Sequence, residues 1–174
     1  MGARKTSGPR RGTIPPGIRL VVLDVDGVLT DGRVIYDAAG VEYNSFNVHD
    51  GYGIRRARAG GMKFALISGR RSKVVVHRAR ELGITEVHQG VTDKLKIFNG
   101  LLARHRLLPA RVCAIGDDEP DLPILKAAGF SAAPRTAVRV VRESVDYVTK
   151  AAGGRGAVRE VLDLIMKKSS ARPK

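Results

Sequence analysis

The chain has 174 residues, 43% of them hydrophobic, enough for one domain with a real core, and no apolar run reaches the roughly 18 residues of a membrane helix. Its net charge of +14 raises nucleic acid or an anionic small molecule as a partner, but only 5% of residues are aromatic and none interleave the basic tracts as stacking platforms. A single cysteine, Cys113 in the apolar run Val112 to Ile115, excludes an internal disulfide framework, reads as a core residue and predicts a reducing, cytoplasmic setting.

Residues 1–17 are predicted to be a disordered basic tail, carrying Arg4, Lys5, Arg10 and Arg11 and lacking the apolar segment of a secretory signal. A buried strand follows over about 18–24. Arg33 to Tyr36 and Val41 to Val48 read as a hairpin around Asp37-Ala-Ala-Gly40. Gly51 to Ala59 is a helix stopped by Gly60-Gly61. Lys63 to Ile67 is a second buried strand, and Ser72 to Leu82 a helix stopped by Gly83. A short strand at Glu86 to His88 leads to a helix over Thr92 to Leu107. Strand Arg111 to Ile115, helix Pro120 to Ala128 and strand Phe130 to Ala133 come next. Helix Thr136 to Glu143, an edge strand at Tyr147 to Thr149 and a closing helix over Gly153 to Met166 complete the set. Residues 168–174 form a second basic tail predicted to be disordered. Strands alternating with helices imply an α/β fold, a Rossmann-like doubly wound parallel sheet in one domain over 18–167, with a protruding β-hairpin flap and no cap domain.

Three strands end in polar triplets: Asp24-Val25-Asp26, Ser68-Gly69-Arg70 and Gly116-Asp117-Asp118. In a parallel sheet these ends share the edge where ligands bind. Lys94 opens a helix beside them. Carboxylates, a hydroxyl, a lysine and an arginine suit a phosphate and a hard divalent cation, since Mg²⁺ takes oxygen ligands from one or two carboxylates plus substrate phosphate. Blander readings stand beside these. Asp24-Val25-Asp26-Gly27 also reads as a strand ending in an Asp-Gly turn, Asp121 as a helix cap, and Lys94 as a surface lysine.

The series Asp24-Val25-Asp26-Gly27-Val28-Leu29-Thr30, Ser68, Lys94 and Gly116-Asp117-Asp118-Glu119-Pro120-Asp121 resembles the haloacid dehalogenase superfamily of phosphatases. The resemblance implies Asp24 as nucleophile, Asp26 as general acid and base, and Ser68 and Lys94 as holders of the phosphoryl oxygens. It implies Mg²⁺ held by Asp24, the Asp26 backbone carbonyl and Asp117, with Asp118 and Asp121 behind them. There is no room for a cap between Asp26 and Ser68 or between Ser68 and Lys94, so the chain reads as capless. Such a site must take a large substrate or be closed by another subunit.

The runs Asp24 to Gly32, Phe46 to Ile54 and Gly153 to Glu160 further resemble the 3-deoxy-D-manno-octulosonate 8-phosphate phosphatase family. That resemblance implies release of phosphate from a phosphorylated sugar acid, in lipopolysaccharide biosynthesis, by a homotetramer in which hairpins associate and neighbours complete each site. It places Asp26, Asn47, Val48, His49, Asp50, Gly51, Arg55, Gly69, Arg70, Arg78 and Lys94 in the substrate pocket, with Arg155 reaching a neighbour's site. Arginines suit a substrate with both phosphate and carboxylate. Arg55 and Arg78 also read as a solvated helix face, and Gly153 to Gly156 as a flexible loop. His49 departs from the arginine common at that place, which leaves a nine-carbon sugar acid 9-phosphate as an alternative substrate. A nucleic-acid binder on a phosphatase scaffold is the remote alternative.

Overall fold

Four apolar residues in a row, Leu20–Leu23, make the central strand β1. A computed structural model describes the chain from residue 14 to residue 170. The first stretch after β1 holds strands β2 (Ile35–Tyr36) and β3 (Glu42–Tyr43), helix α1 (Val48–Ala59) and strand β4 (Lys63–Ser68). Helix α2 (Lys73–Leu82), strand β5 (Glu86–Gln89) and helix α3 (Lys94–His105) come next. Strand β6 (Val112–Ile115), helix α4 (Leu122–Ala127) and strand β7 (Phe130–Ala133) follow. The chain closes with helix α5 (Arg139–Ser144), strand β8 (Tyr147–Val148) and helix α6 (Ala157–Ser170).

Six strands form one parallel sheet in the order β5-β4-β1-β6-β7-β8. The chain first winds outward from β1 to β5. It then crosses back through α3 and winds the other way from β6 to β8. The reversal beside β1 opens a crevice at the carboxyl ends of the strands, where α/β sheets bind ligands. Both faces of the sheet are covered. Val21 and Leu23 join a cluster with residues of α1, α2 and α6, while Leu20 and Val22 join one with α3 and α4. A strand buried on both sides needs this uninterrupted apolar run.

The doubly wound expectation therefore holds. Between β1 and β4 the described chain contains only the hairpin and α1, so no cap domain covers the crevice. The hairpin pairs Ile35 with Tyr43 and Tyr36 with Glu42, as a separate two-stranded sheet. Its apolar side chains Val34, Ile35, Tyr36, Val41 and Tyr43 are all exposed.

Several boundaries differ from the sequence reading. The hairpin strands are two residues each, shorter than expected. Helix α1 starts at Val48, three residues early, because the Asn47 Oδ1 accepts from the His49 and Asp50 amides at 2.7 and 3.3 Å and caps it. Helix α6 starts at Ala157, not Gly153. Gly154 and Gly156 adopt φ of +63° and +100°, which turns the chain before the helix. At the ends, Ile14 packs against the core and Arg111 donates to the Pro16 carbonyl at 2.8 Å, so order begins before residue 18. Helix α6 continues past residue 167 to Ser170. The tail expectations for residues 1–13 and 171–174 lie outside the described residues.

Candidate active site

The crevice is built outward from the tip of β1. Asp24 leaves the strand with its amide donating to the Ile115 carbonyl at 3.0 Å, which fixes it between β1 and β6. The chain then turns tightly. The amides of Val28, Leu29 and Thr30 all reach the Val25 carbonyl, at 3.3, 2.9 and 3.1 Å. Buried Thr30 closes the turn, its Oγ1 accepting from the Gly27 and Gly32 amides at 3.3 and 3.2 Å. Gly27 sits at φ +82°, and a Cβ there would fall on the Asp117 carboxylate. Glycine is thus required twice over, by conformation and by space.

Lys94, the first residue of α3, lies under the sheet edge with only 7% of its surface exposed. Its ammonium donates to Asp24 Oδ1 at 2.7 Å and to Asp121 Oδ1 at 2.6 Å. Burial alone would lower the lysine, but the charges of Asp24 and Asp121 outweigh it and hold the ammonium above its ordinary value. The acids respond oppositely. Burial, then the charge of Asp121, pushes the Asp24 carboxyl up to about 8 and Asp117 up to about 7. Ligand atoms of Asp24, Asp117 and Asp121 all lie within 4.8 Å of one another. Three acids around one buried lysine leave negative charge uncompensated.

Asp121 has a different part from the other two. Its Oδ1 is taken by Lys94, and its Oδ2 accepts from the Asp117 and Asp118 amides at 3.0 and 3.3 Å. Asp118 in turn accepts from the Glu119 amide at 2.8 Å, making a reciprocal capping box over the short 3₁₀ turn Glu119–Asp121. Asp121 thus takes part in the cap of the 3₁₀ turn and pairs with Lys94, while it makes no side-chain cap bond to α4. Asp24 and Asp117 keep oxygens facing the crevice.

The opposite wall comes from β4. Ser68 Oγ, buried at the strand's end, accepts from the Arg70 amide at 3.1 Å. The Arg70 guanidinium donates to Asp26 Oδ1 at 3.1 Å and to Glu42 Oε1 at 3.0 Å, with Tyr36 Oη at 3.3 Å. It ties the second acid of the first motif to the root of the hairpin. Glu42 and Tyr36 were not anticipated. Alternation along β2 and β3 carries no hint that these two turn toward the site. The cleft so formed has a volume of about 520 Å³ and is lined by Asp24, Asp26, Ser68, Gly69, Arg70, Lys94, Asp117, Asp118 and Asp121 among others.

The remaining predicted pocket residues lie outside that lining. Asn47 is spent capping α1. Val48, His49 and Arg55 are exposed on the same helix. Gly51 lies against Arg78 and Leu82. Arg78 donates to the Asn47 carbonyl at 3.3 Å, pairs with Glu81 at 3.1 Å and stacks over Phe46 at 5.5 Å, so it is not a free solvated arginine. Arg155 is exposed, 3.7 Å from Asp31. Asp50 departs most from expectation. It is buried, and its carboxylate accepts the Arg159 and Gly156 amides at 2.7 and 3.2 Å, so neither oxygen is open to a substrate of this chain.

Residues 80–162 match the family of haloacid dehalogenase-like hydrolases. The chain is 46% identical over 149 residues to 3-deoxy-D-manno-octulosonate 8-phosphate phosphatase of Escherichia coli K12, covering 86% of this chain and 79% of that one. The chain belongs to this phosphatase family of haloacid dehalogenase-like hydrolases. The solved structure of a family member from Moraxella catarrhalis, in complex with magnesium ion, phosphate ion and KDO, superposes with a TM-score of 0.86. It is 41% identical and covers 88% of each chain. The member from Yersinia pestis gives a TM-score of 0.87 at 44% identity, over 88% of this chain and 83% of that one. For a phosphatase of this family the crevice here is well made for a hard cation. Three of its acids offer carboxylate oxygens within reach of one another, burial and then the charge of Asp121 raise Asp24 and Asp117, and Gly27 leaves room beside Asp117.

Proposed function

We propose that the protein is a Mg²⁺-dependent phosphatase that hydrolyses 3-deoxy-D-manno-octulosonate 8-phosphate to Kdo and phosphate through an aspartyl-phosphate on Asp24. The observation that carries this reading is the buried Lys94–Asp24 pair beside Asp117 at the sheet's switch point, in a chain 46% identical to a phosphatase of that ester. Asp24 attacks phosphorus, and the P–O bond to the sugar breaks. Asp26 gives its proton to the leaving alkoxide and later takes one from the water that attacks the acyl phosphate. Lys94 and Ser68 hold phosphoryl oxygens, the lysine as a point charge. Magnesium, bound by Asp24, the Asp26 carbonyl and Asp117, would supply the positive charge that lets a carboxylate approach a phosphate dianion. Arg70, whose guanidinium pairs with Asp26 and Glu42, would release one of them to receive the sugar's own carboxylate.

The exposed apolar hairpin supports a homotetramer built on β2 and β3. Asn47, Val48, His49, Arg55, Arg78 and Arg155, outside the cleft of their own chain, would then help complete a neighbour's, whereas buried Asp50 and Gly51 would not. Gly69 and Arg70 serve their own chain's site. Residues 18–167 constitute the phosphatase domain. The buried reduced Cys113 fits a cytoplasmic enzyme of lipopolysaccharide biosynthesis, and no helix of the described residues is long and apolar enough to cross a membrane.

A panel of phosphate esters assayed with and without Mg²⁺ tests the reading. The eight-carbon ester should turn over fastest, only with metal, and Asp24→Asn should abolish release. Faster turnover of a nine-carbon acid 9-phosphate or of a generic ester would overturn the substrate. Activity in Asp24→Asn would overturn the covalent route.

A further inference from the structure

Helix α6 begins without a cap of its own. Gly156, just before Ala157, has no side chain to offer the free amides of the first turn. Those amides are met instead from another helix, by buried Asp50 of α1. Its Oδ1 accepts from Arg159 at 2.7 Å and its Oδ2 from Gly156 at 3.2 Å. The segment thus anchored, Gly153 to Gly156, presses on the turn behind the nucleophile. The Gly154 amide donates to the Val28 carbonyl at 3.0 Å, and the Gly153 amide to Thr136 Oγ1 at 3.1 Å. A Cβ on Gly153 would fall on the Gly27 carbonyl, and one on Gly154 would lie 2.5 Å from the Thr30 carbonyl carbon. No side chain fits between the two backbones. The turn from Val25 to Thr30 follows directly from Asp24 and carries Asp26 at its mouth.

We infer that Asp50 is a positioning residue of the phosphatase reaction. It clamps Gly153–Gly156 against the Val25–Thr30 turn and so fixes the Asp26 carboxyl relative to the leaving oxygen. The inference rests on Asp26 acting as the general acid. A simple helix cap would add stability and nothing more. A clamp on the proton donor has a narrower signature, because an alkoxide needs its proton and a nitrophenolate hardly does. The second-order rate constant, kcat/KM, reports the first, leaving-group-dependent step for both kinds of ester.

The test compares wild type with Asp50→Asn and the milder Thr136→Val. In Asp50→Asn the new amide group confronts backbone N–H donors among those of Gly156, Val158 and Arg159. The ratio of kcat/KM for the alkyl sugar phosphate to that for p-nitrophenyl phosphate should fall about tenfold, a part of the ~10²–10⁴-fold that general acids supply. Thr136→Val should shift the ratio in the same direction by less. Hydrogen exchange should show peptides 25–31 and 153–159 losing protection together in Asp50→Asn. A parallel loss on both esters would mark a purely structural cap and overturn the inference. So would loosening of 153–159 with 25–31 still protected. If Asp50→Asn does not fold, an unchanged ratio in Thr136→Val overturns it. A wild type inactive on every ester would count against the phosphatase reading alone, and the exchange pattern would still decide the clamp.

Discussion

Asp24 lies buried at the foot of an open crevice with Asp121, half-buried Asp117 and one ammonium, Lys94. That arrangement favours a bound cation and disfavours the metal-free protein, a common conflict between function and stability. Replacing Asp24 by Asn removes a desolvated acid while leaving Asp121 to pair Lys94. The metal-free variant should melt ~3 °C higher at pH 8, the shift that roughly 1 kcal/mol produces in a chain of this size, and should release no phosphate. A lower melting temperature would show that the Asp24–Lys94 pair is a net stabiliser. At this scale the chemistry was legible. Asp24, Asp26, Ser68, Lys94 and Asp117 follow strands or open a helix in a fixed order that phosphate chemistry explains. Asp50 and Glu42 were not. A carboxylate that caps another helix, or an acid that shares an arginine, has partners far along the chain and leaves no local pattern.

The hairpin is the element least able to stand by itself. Two residues per strand and an exposed apolar face make it marginal without a partner. If four hairpins associate, charging that face should separate them. The double variant Ile35→Lys, Tyr43→Lys should elute as a monomer in light-scattering chromatography and lose at least tenfold in kcat/KM on the sugar acid phosphate. A monomeric wild type, or an unchanged assembly in the variant, would refute the shared-site reading. Helix boundaries show where sequence reading falls short. Asn47 as a cap and Gly154 and Gly156 as turn formers carry recognisable chemistry. The apolar spacing just inside each helix gave no sign of which residue begins it. Val158, Val161, Leu162 and Ile165, by contrast, form the buried stripe that their spacing predicts.

Across the whole molecule, the doubly wound parallel sheet followed from alternating buried strands and helices, since few topologies accommodate that rhythm, while the order of its strands is set by long-range pairing that leaves no local pattern. Its stability should depend on pH in two opposite ways. Asp24 and Asp117 hold their protons more tightly folded than unfolded, with values raised from 3.8 to about 8 and about 7. Deprotonation therefore pulls toward the unfolded chain, and metal-free stability should fall as pH rises from about 4 to about 8. Glu160 runs the other way. Burial would raise it, but hydrogen bonds from the Lys150 amide, the Tyr147 hydroxyl and the Ala151 amide outweigh this and hold it below its ordinary 4.5. Its contribution is present above that value and lost in acid. Melting temperatures should thus decline from about pH 4 to about pH 8 and level off by pH 9. Mg²⁺ should raise them by an amount that grows with pH. A metal effect that is flat across this range would contradict the charge balance assigned to the crevice.

The contact between Gly153–Gly156 and the Val25–Thr30 turn also bears on how the enzyme is made. During synthesis the nucleophile leaves the ribosome early, with its strand and turn. The backbone that braces that turn emerges only after the eight strands of the described residues. A nascent chain halted before residue 153 would carry every phosphatase motif and still lack the brace behind them.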